Sequence, residues 1–144
     1  MGIYSSPISK FMTKKVITSK VNSTIKSVCK IMYDNNVGCL VIVKQTIKGI
    51  IPVGIITERD LVKIVGSMEL FYPLVPIREF MSYPLISANS TMTLSKAMDI
   101  MSEKNIRRLP VVDREGDHDK LVGIITEKDI INTIVKTERG HSRS

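Results

Sequence analysis

The sequence predicts an α/β protein, of the mixed α+β kind, made of two β-α-β-β-α repeats that pack with pseudo-twofold symmetry. Three observations carry this expectation. The segment VGIITERD at positions 53–60 returns as VGIITEKD at 122–129, and the same offset of 69 residues aligns nearly everything before it. Pro7, Ile8, Phe11 and Met12 fall on Pro76, Ile77, Phe80 and Met81, and Thr24, Met32, Asn36 and Leu40 fall on Thr93, Met101, Asn105 and Leu109. No insertion is needed over about 59 positions, of which roughly 18 are identical, so the chain is a tandem duplication. Finally, a unit of some 60 residues buries too little apolar surface to fold comfortably alone, so the copies are expected to pack face to face.

Each repeat is expected to open with a short helical turn, PISKFM at 7–12 and PIREFM at 76–81, with proline at a tolerated first position. Extended segments follow, KKVIT at 14–18 and YPLIS at 83–87. Apolar residues then recur at helical spacing, at Ile25, Val28, Cys29 and Met32 and at Leu94, Ala97, Met98 and Met101. Thr24 and Thr93 are natural N-caps, and the helices should end near Asn36 and Asn105. The β-branched runs CLVIV (39–43) and LPVVD (109–113) read as strands, each joined by a hairpin to the strand ending in GIIT. The polar hairpin DREGDHDK has a more apolar counterpart, KQTIKGIIP, which reads either as a contact surface or as an extension of the strands. A last helix runs from ERD to about Gly66 and from EKD to about Lys136. The expected organisation is repeat one at 7–66, a linker at 67–75, repeat two at 76–136 and a disordered tail at 137–144.

Composition narrows the class. No apolar run approaches the roughly 18 residues of a membrane span, so no membrane association is expected. The first residues lack the pattern of a secretory signal, which makes the cytoplasm the expected location. Cys29 and Cys39 have no metal-type spacing, and buried free thiols are expected. The net charge of +7 is uneven, because residues 1–70 carry +6 and residues 71–144 only +1. Scattered lysines are chiefly a solvated surface, while an anionic partner such as nucleic acid is the alternative reading. There is no reading helix, zinc finger or aromatic platform to favour it.

No Ser-His-acid arrangement, Cys-His pairing, P-loop, GxGxxG or HExxH is present, so an enzyme, a metal site and a catalytic cofactor are not expected. What repeats is Gly-Ile-Ile-Thr-x-x-Asp at a strand-to-helix junction. Thr57 with Asp60, and Thr126 with Asp129, can be helix caps of capping-box type. Gly54 and Gly123 can permit close strand contact. The same geometry also suits a nucleotide: helix N–H groups and a threonine hydroxyl meet phosphate, and an aspartate accepts from ribose hydroxyls. The two roles are compatible.

Taken together, FMT or FMS, the TIKSVCKIM-type helix, NIRRLPVVD and the doubled VGIITE[RK]D resemble a pair of cystathionine β-synthase (CBS) domains, the tandem also called a Bateman module, over about residues 7–136. The resemblance implies a regulatory sensor that binds an adenosine-containing ligand (AMP, ADP, ATP or S-adenosylmethionine) in clefts between the repeats and modulates a partner protein. It implies a homodimer as well, for which the stripes Leu61, Ile64, Val65 and Ile130, Ile131, Ile134 are candidates. The ribose-binding acids correspond to Asp60 and Asp129, and the hydroxyls beside phosphate to Thr57 and Thr126. Crossed clefts would join Thr57 and Asp60 with Tyr83, Pro84, Leu85, Arg107 and Arg108, and Thr126 and Asp129 with Lys14, Lys15, Val16, Gly38 and Cys39. The second set lacks the arginine pair, so unequal occupancy is expected. Adjacent residues at a strand start point to opposite sides, so at most one of Arg107 and Arg108 faces a given cleft. Tyr83 reads either as an adenine-stacking ring or as a half-buried aromatic, and Arg59 and Lys128 as solvated side chains or phosphate contacts. A structural adaptor with empty clefts is the remaining alternative.

Overall fold

The computed structural model describes residues 2–67 and 73–142. After 3-10 turns at Ile3–Ser5 and Ile8–Lys10 come β1 (Thr18–Lys20), α1 (Ile25–Asn35), β2 (Cys39–Thr46), β3 (Gly49–Thr57) and α2 (Glu58–Ser67). A 3-10 turn at Ile77–Glu79 then leads to α3 (Leu94–Lys104), β4 (Arg108–Glu115), β5 (His118–Thr126) and α4 (Glu127–Ser142). Two compact units form, and they do not follow the repeat boundaries. The first comprises Val16–Ile86 and Gly116–Lys120, the second Met1–Lys15, Ser87–Glu115 and Leu121–Ser144. The opening segment of each repeat therefore clusters with the body of the other.

In the first unit the sheet order is β1-β2-β3, with β1 parallel and β3 antiparallel to β2. The ladder shifts register between Ile42 and Val43, where Pro52, which has no N–H to donate, lies opposite Val43. Ile25, Val28 and Met32 line one face of α1 at helical spacing and pack with Leu40, Ile42, Ile56, Ile64 and Ile77. The first turn of α1 shows where its unpaired N–H groups go. Ile25 N donates to Val75 O (3.0 Å), Lys26 N to Pro73 O (2.9 Å) and Ser27 N to Thr24 Oγ1 (3.1 Å). Asn36 closes the helix in the left-handed region (φ 51°, ψ 48°).

The second unit repeats this logic. Thr93 Oγ1 accepts from Lys96 N (3.2 Å), Leu94 N donates to Ser6 O (3.0 Å), and Asn105 closes α3 at φ 53°. Ile8, whose N–H donates to Met92 O (2.8 Å), is buried with Leu94, Ala97, Met101, Leu109, Val111, Ile125 and Ile130. The N-terminal turn is thus part of this core. Among the described residues no helix is long and apolar enough to cross a membrane.

Several expectations need correction. Of KKVIT only Thr18 is in a strand, since β1 starts there and runs to Lys20. YPLIS forms no strand, and pairing is confined to an isolated Ala88–Val111 bridge, because Pro110 stands where Val41 donates to Ile17 O in the first unit and has no N–H to donate. The final helix does not stop at Lys136. It continues to Ser142, with the Thr133 and Thr137 hydroxyls donating to Asp129 O (2.8 Å) and Thr133 O (2.9 Å), so 137–142 is not a disordered tail. Of the 67–75 linker, 68–72 lie outside the described residues, while Pro73 and Val75 cap α1. Cys29 is a free thiol on the exposed side of α1 rather than a buried one, and Cys39 is half-buried. Partial burial of the Cys29 sulfur nonetheless raises its pKa, which disfavours the thiolate. β2 and β3 pair out to Thr46–Gly49, and β4 and β5 span the matching positions, so strand length does not distinguish the apolar hairpin of repeat one, whose Ile47 and Ile50 are exposed.

Replacing Thr24 or Thr93 by alanine removes the cap bond alone, and each variant should lose about 1 kcal/mol of stability in urea unfolding.

Candidate functional site

Each strand-to-helix junction is built from a glycine outward. At Gly54 an added Cβ would lie 2.9 Å from Ser82 O and 2.8 Å from Met81 Sδ. Only glycine lets the FMS backbone come this near. The approach is used at once, for Ile55 N donates to Ser82 O (3.2 Å) and Ser82 N to Ile55 O (3.0 Å). Two residues later β3 ends, and a reciprocal capping box starts α2. Asp60 N donates to Thr57 Oγ1 (3.2 Å), and Thr57 N donates to Asp60 Oδ2 (2.9 Å). Asp60 Oδ1 has no partner among the described residues. The Thr57 hydroxyl, accepting within the box, keeps its own proton to donate.

The second unit reproduces the arrangement and adds one bond. A Cβ on Gly123 would lie 2.9 Å from Thr13 O and 2.6 Å from Met12 Sδ, and Thr13 and Ile124 exchange backbone bonds of 2.8 and 2.9 Å. Asp129 N donates to Thr126 Oγ1 (3.1 Å) and Thr126 N to Asp129 Oδ2 (3.0 Å). Here the Thr13 hydroxyl also donates to the carboxylate, at 3.3 Å to Oδ1 and 3.4 Å to Oδ2. These bonds are long, so a ligand hydroxyl can displace them. Sequence reading missed Thr13, although its place in FMT, matching Ser82 in FMS, was a usable signal.

The other expected residues fall as follows. Tyr83, Pro84 and Leu85 follow the Ser82 bridge in the first unit, and Tyr83 is 71% exposed, not half-buried. Gly38, Cys39 and Val16 belong to that unit too. Gly38 O accepts from Glu58 N (3.0 Å) and Cys39 pairs with Thr57, so both adjoin the capping box of their own repeat. Arg107 and Arg108 belong to the second unit with Lys14 and Lys15. Arg107 O accepts from Glu127 N (2.9 Å), and its exposed guanidinium lies 3.8 Å from Glu127 Oε2, next to Thr126. Arg59 and Lys128 are exposed.

The basic first half is partly neutralised by acids. Lys30 pairs with Asp34 (2.9 Å) and Lys48 with Asp117 (3.2 Å). Lys48, and then His118, hold the Asp117 carboxyl below its ordinary pKa. Among the described residues no group of three or more His, Cys, Asp or Glu could hold a metal ion.

A family model of the CBS domain matches residues 8–67 and 77–136. The chain belongs to the CBS-domain family. Among curated relatives of this CBS pair, an uncharacterized protein of Methanopyrus kandleri, MK0525, is 37% identical over 127 residues, spanning 88% of this chain and 62% of that one. The CBS domain-containing protein YhcV of Bacillus subtilis is 34% identical over 125 residues, spanning 87% and 83%. The chain thus spans less than two thirds of the length of MK0525. Among solved structures, the CBS domain pair of protein MJ0100 in complex with 5′-methylthioadenosine and S-adenosyl-L-methionine superposes with a TM-score of 0.77 at 30% identity, covering 92% of this chain and 98% of that one.

Alanine at Gly54 or Gly123 forces a methyl group against a backbone carbonyl that cannot swing aside. Each variant of the CBS pair should lose about 1–3 kcal/mol in denaturant unfolding, as overpacked sites do.

Proposed function

We propose that this protein is a regulatory module that binds an adenosine-containing ligand at its Thr57–Asp60 and Thr126–Asp129 corners and passes occupancy on to a partner protein. The observation that carries the reading is the state of the capping box. The carboxylate uses one oxygen to fasten its helix, and Asp60 keeps the other unpartnered. A ribose diol offers the donors such an oxygen accepts, and the first N–H groups of α2, with the Thr57 hydroxyl, suit an anionic or electron-rich group beside it. The ligand complex of MJ0100 supports an adenosyl compound as that ligand. In the first unit Tyr83 and Pro84, exposed beyond the Ser82 bridge, and the half-buried Leu85 are the backbone and ring we assign to adenine. In the second, Lys14 and Lys15 take that place.

Regulation requires that the ligand favour one of two states of the module, since equal affinity for both shifts nothing. The output surface proposed is a homodimer face. Part of the expected stripe serves the cores instead: Ile64 and Ile130 are buried, and Leu61 and Ile134 pack against them. Val62 and Val65 on α2, and Ile131 and Val135 on α4, remain exposed and are the side chains available for association.

Isothermal calorimetry with S-adenosylmethionine, 5′-methylthioadenosine, AMP, ADP and ATP tests the ligand. At least one should bind, with affinity falling about tenfold or more in Asp60→Ala or Asp129→Ala as a charge-assisted bond is lost. Absence of binding by all five at millimolar concentration would refute the adenosyl reading. Light scattering tests the dimer, and a mass near the 16.1 kDa of one chain at micromolar concentration would reject it.

A further inference from the structure

Duplicated positions meet one another at one place in the chain, and there they differ in complementary ways. Within the first unit the tip of the β4–β5 hairpin, Gly116–Lys120, lies with the β2–β3 hairpin. Lys48 pairs with Asp117 (3.2 Å), and the two are 69 residues apart, as the repeats are. The next matched pair behaves alike. Gly49 leaves room for His118, whose Nε2 would lie 3.7 Å from a Cβ on the glycine. Basic faces acidic, and small faces large. A contact between two copies of one unit acquires this pattern as the copies diverge, because like charges and equal bulk give way to fitted pairs.

The outer helix faces carry the same pattern. In the first unit α1 and α2 cover one sheet face, since their buried residues pack on Leu40, Ile42 and Ile56, which point the same way. In the second, α3 and α4 cover Leu109, Val111 and Ile125 in like manner. Away from its core α1 exposes Lys26, Lys30, Tyr33 and Asp34, and at the matching positions α3 exposes Ser95, Asp99, Ser102 and Glu103. Lys30 also meets Asp34 on its own helix (2.9 Å), and both stay exposed. Lys96 is exposed near Asp99, while Lys104, three residues past the buried Met101, flanks the core side. Two lysines and one acid on α1 therefore correspond to two acids and one lysine on α3. Tyr33, 87% exposed, corresponds to a serine. On the later helices the sizes are reversed. α2 has Val62 and Gly66 where α4 has Ile131 and Val135, and a Cβ on Gly66 would meet nothing within 4 Å.

We infer that the α1 and α2 face binds the α3 and α4 face of a second copy of this chain, α1 over α3 and α2 over α4. The inference rests on the homodimer proposed above and specifies which faces meet. Pairing like with like would set Lys26 and Lys30 against their own counterparts, and Asp99 and Glu103 against theirs, and would leave the space at Gly66 unfilled. Unlike pairing offsets both charge sets and matches large with small at each helix. Made twice, such a contact closes a dimer.

Sedimentation velocity of the full chain over a dilution series tests the pairing. Lys26→Glu/Lys30→Glu should weaken the dimer about tenfold or more, and so should Asp99→Lys/Glu103→Lys. All four changes in one chain should restore affinity to within about threefold of the wild type, because the charges are then exchanged across the contact. Like-with-like pairing predicts no such recovery. Urea unfolding checks that these exposed substitutions leave the fold intact. The neutral set, Lys26→Gln/Lys30→Gln and Asp99→Asn/Glu103→Asn, gives the same test as a non-additive loss. No loss in the double variants, or no recovery when they are combined, overturns the pairing and leaves the dimer standing. A wild type that stays monomeric overturns both.

Discussion

The fold depends on two places where backbone meets backbone with no side chain between. Gly54 and Gly123 leave room for the carbonyls of Ser82 and Thr13, and the bridges that follow fasten an exchanged segment to each sheet edge. Much is set by that contact. Strand residues alternate in direction, so fixing Gly54 against the segment sends Ile56 into the core and brings Thr57 to the start of α2. The sulfurs of Met81 and Met12 fill the space beside the glycines, a role suited to a flexible, polarizable side chain. The exchange reaches further still: Pro73 and Val75 satisfy the first N–H groups of α1, and Ser6 does so for α3. Thr24 and Thr93 cap from within their own repeats, and these outside carbonyls meet the N–H groups beside them.

The same residues that start the second helix of each repeat also provide its binding chemistry. A threonine and an aspartate three positions apart satisfy each other's N–H groups, and this fixes both side chains without exhausting them. Preorganisation of this sort lowers the entropy lost when a ligand arrives. The two copies then diverge in their surroundings. Asp60 has an open oxygen, Asp129 is met by Thr13, and cations gather below Asp129 where the twin has Glu79 and Ser67. Duplication preserved the scaffold while the rims changed, and rims are where ligand specificity arises.

Much of this was legible in the sequence because the governing rules are local. Thr24, Thr93, Asn36 and Asn105 announce helix ends by their own chemistry, and the apolar spacing of α1 and α3 marks a buried face. The capping boxes followed from Thr-x-x-Asp alone, and the glycines from their position in a strand. Less legible was whatever depends on distant chain. YPLIS looks extended, yet Pro110 stands where Val41 donates to Ile17 O in the first unit and has no N–H to give, and that partner is not visible in the segment itself. Cys29 fits the apolar period of α1 but turns outward, because Ile25, Val28 and Met32 already fill the core side. The last turns of α4 were hidden for another reason. Residues 137–142 read as a polar tail because no apolar period continues past Val135 to mark a helix.

The central claim is that the Thr–Asp corners receive the sugar of an adenosyl ligand. A crystal structure of the protein grown with 5′-methylthioadenosine tests it most directly, since this compound has a ribose diol and no charged group to draw it elsewhere. Ribose hydroxyls within hydrogen-bonding distance of the Asp60 or Asp129 carboxylate are the expected result. A nucleoside bound away from both carboxylates, with the capping boxes untouched, would contradict it.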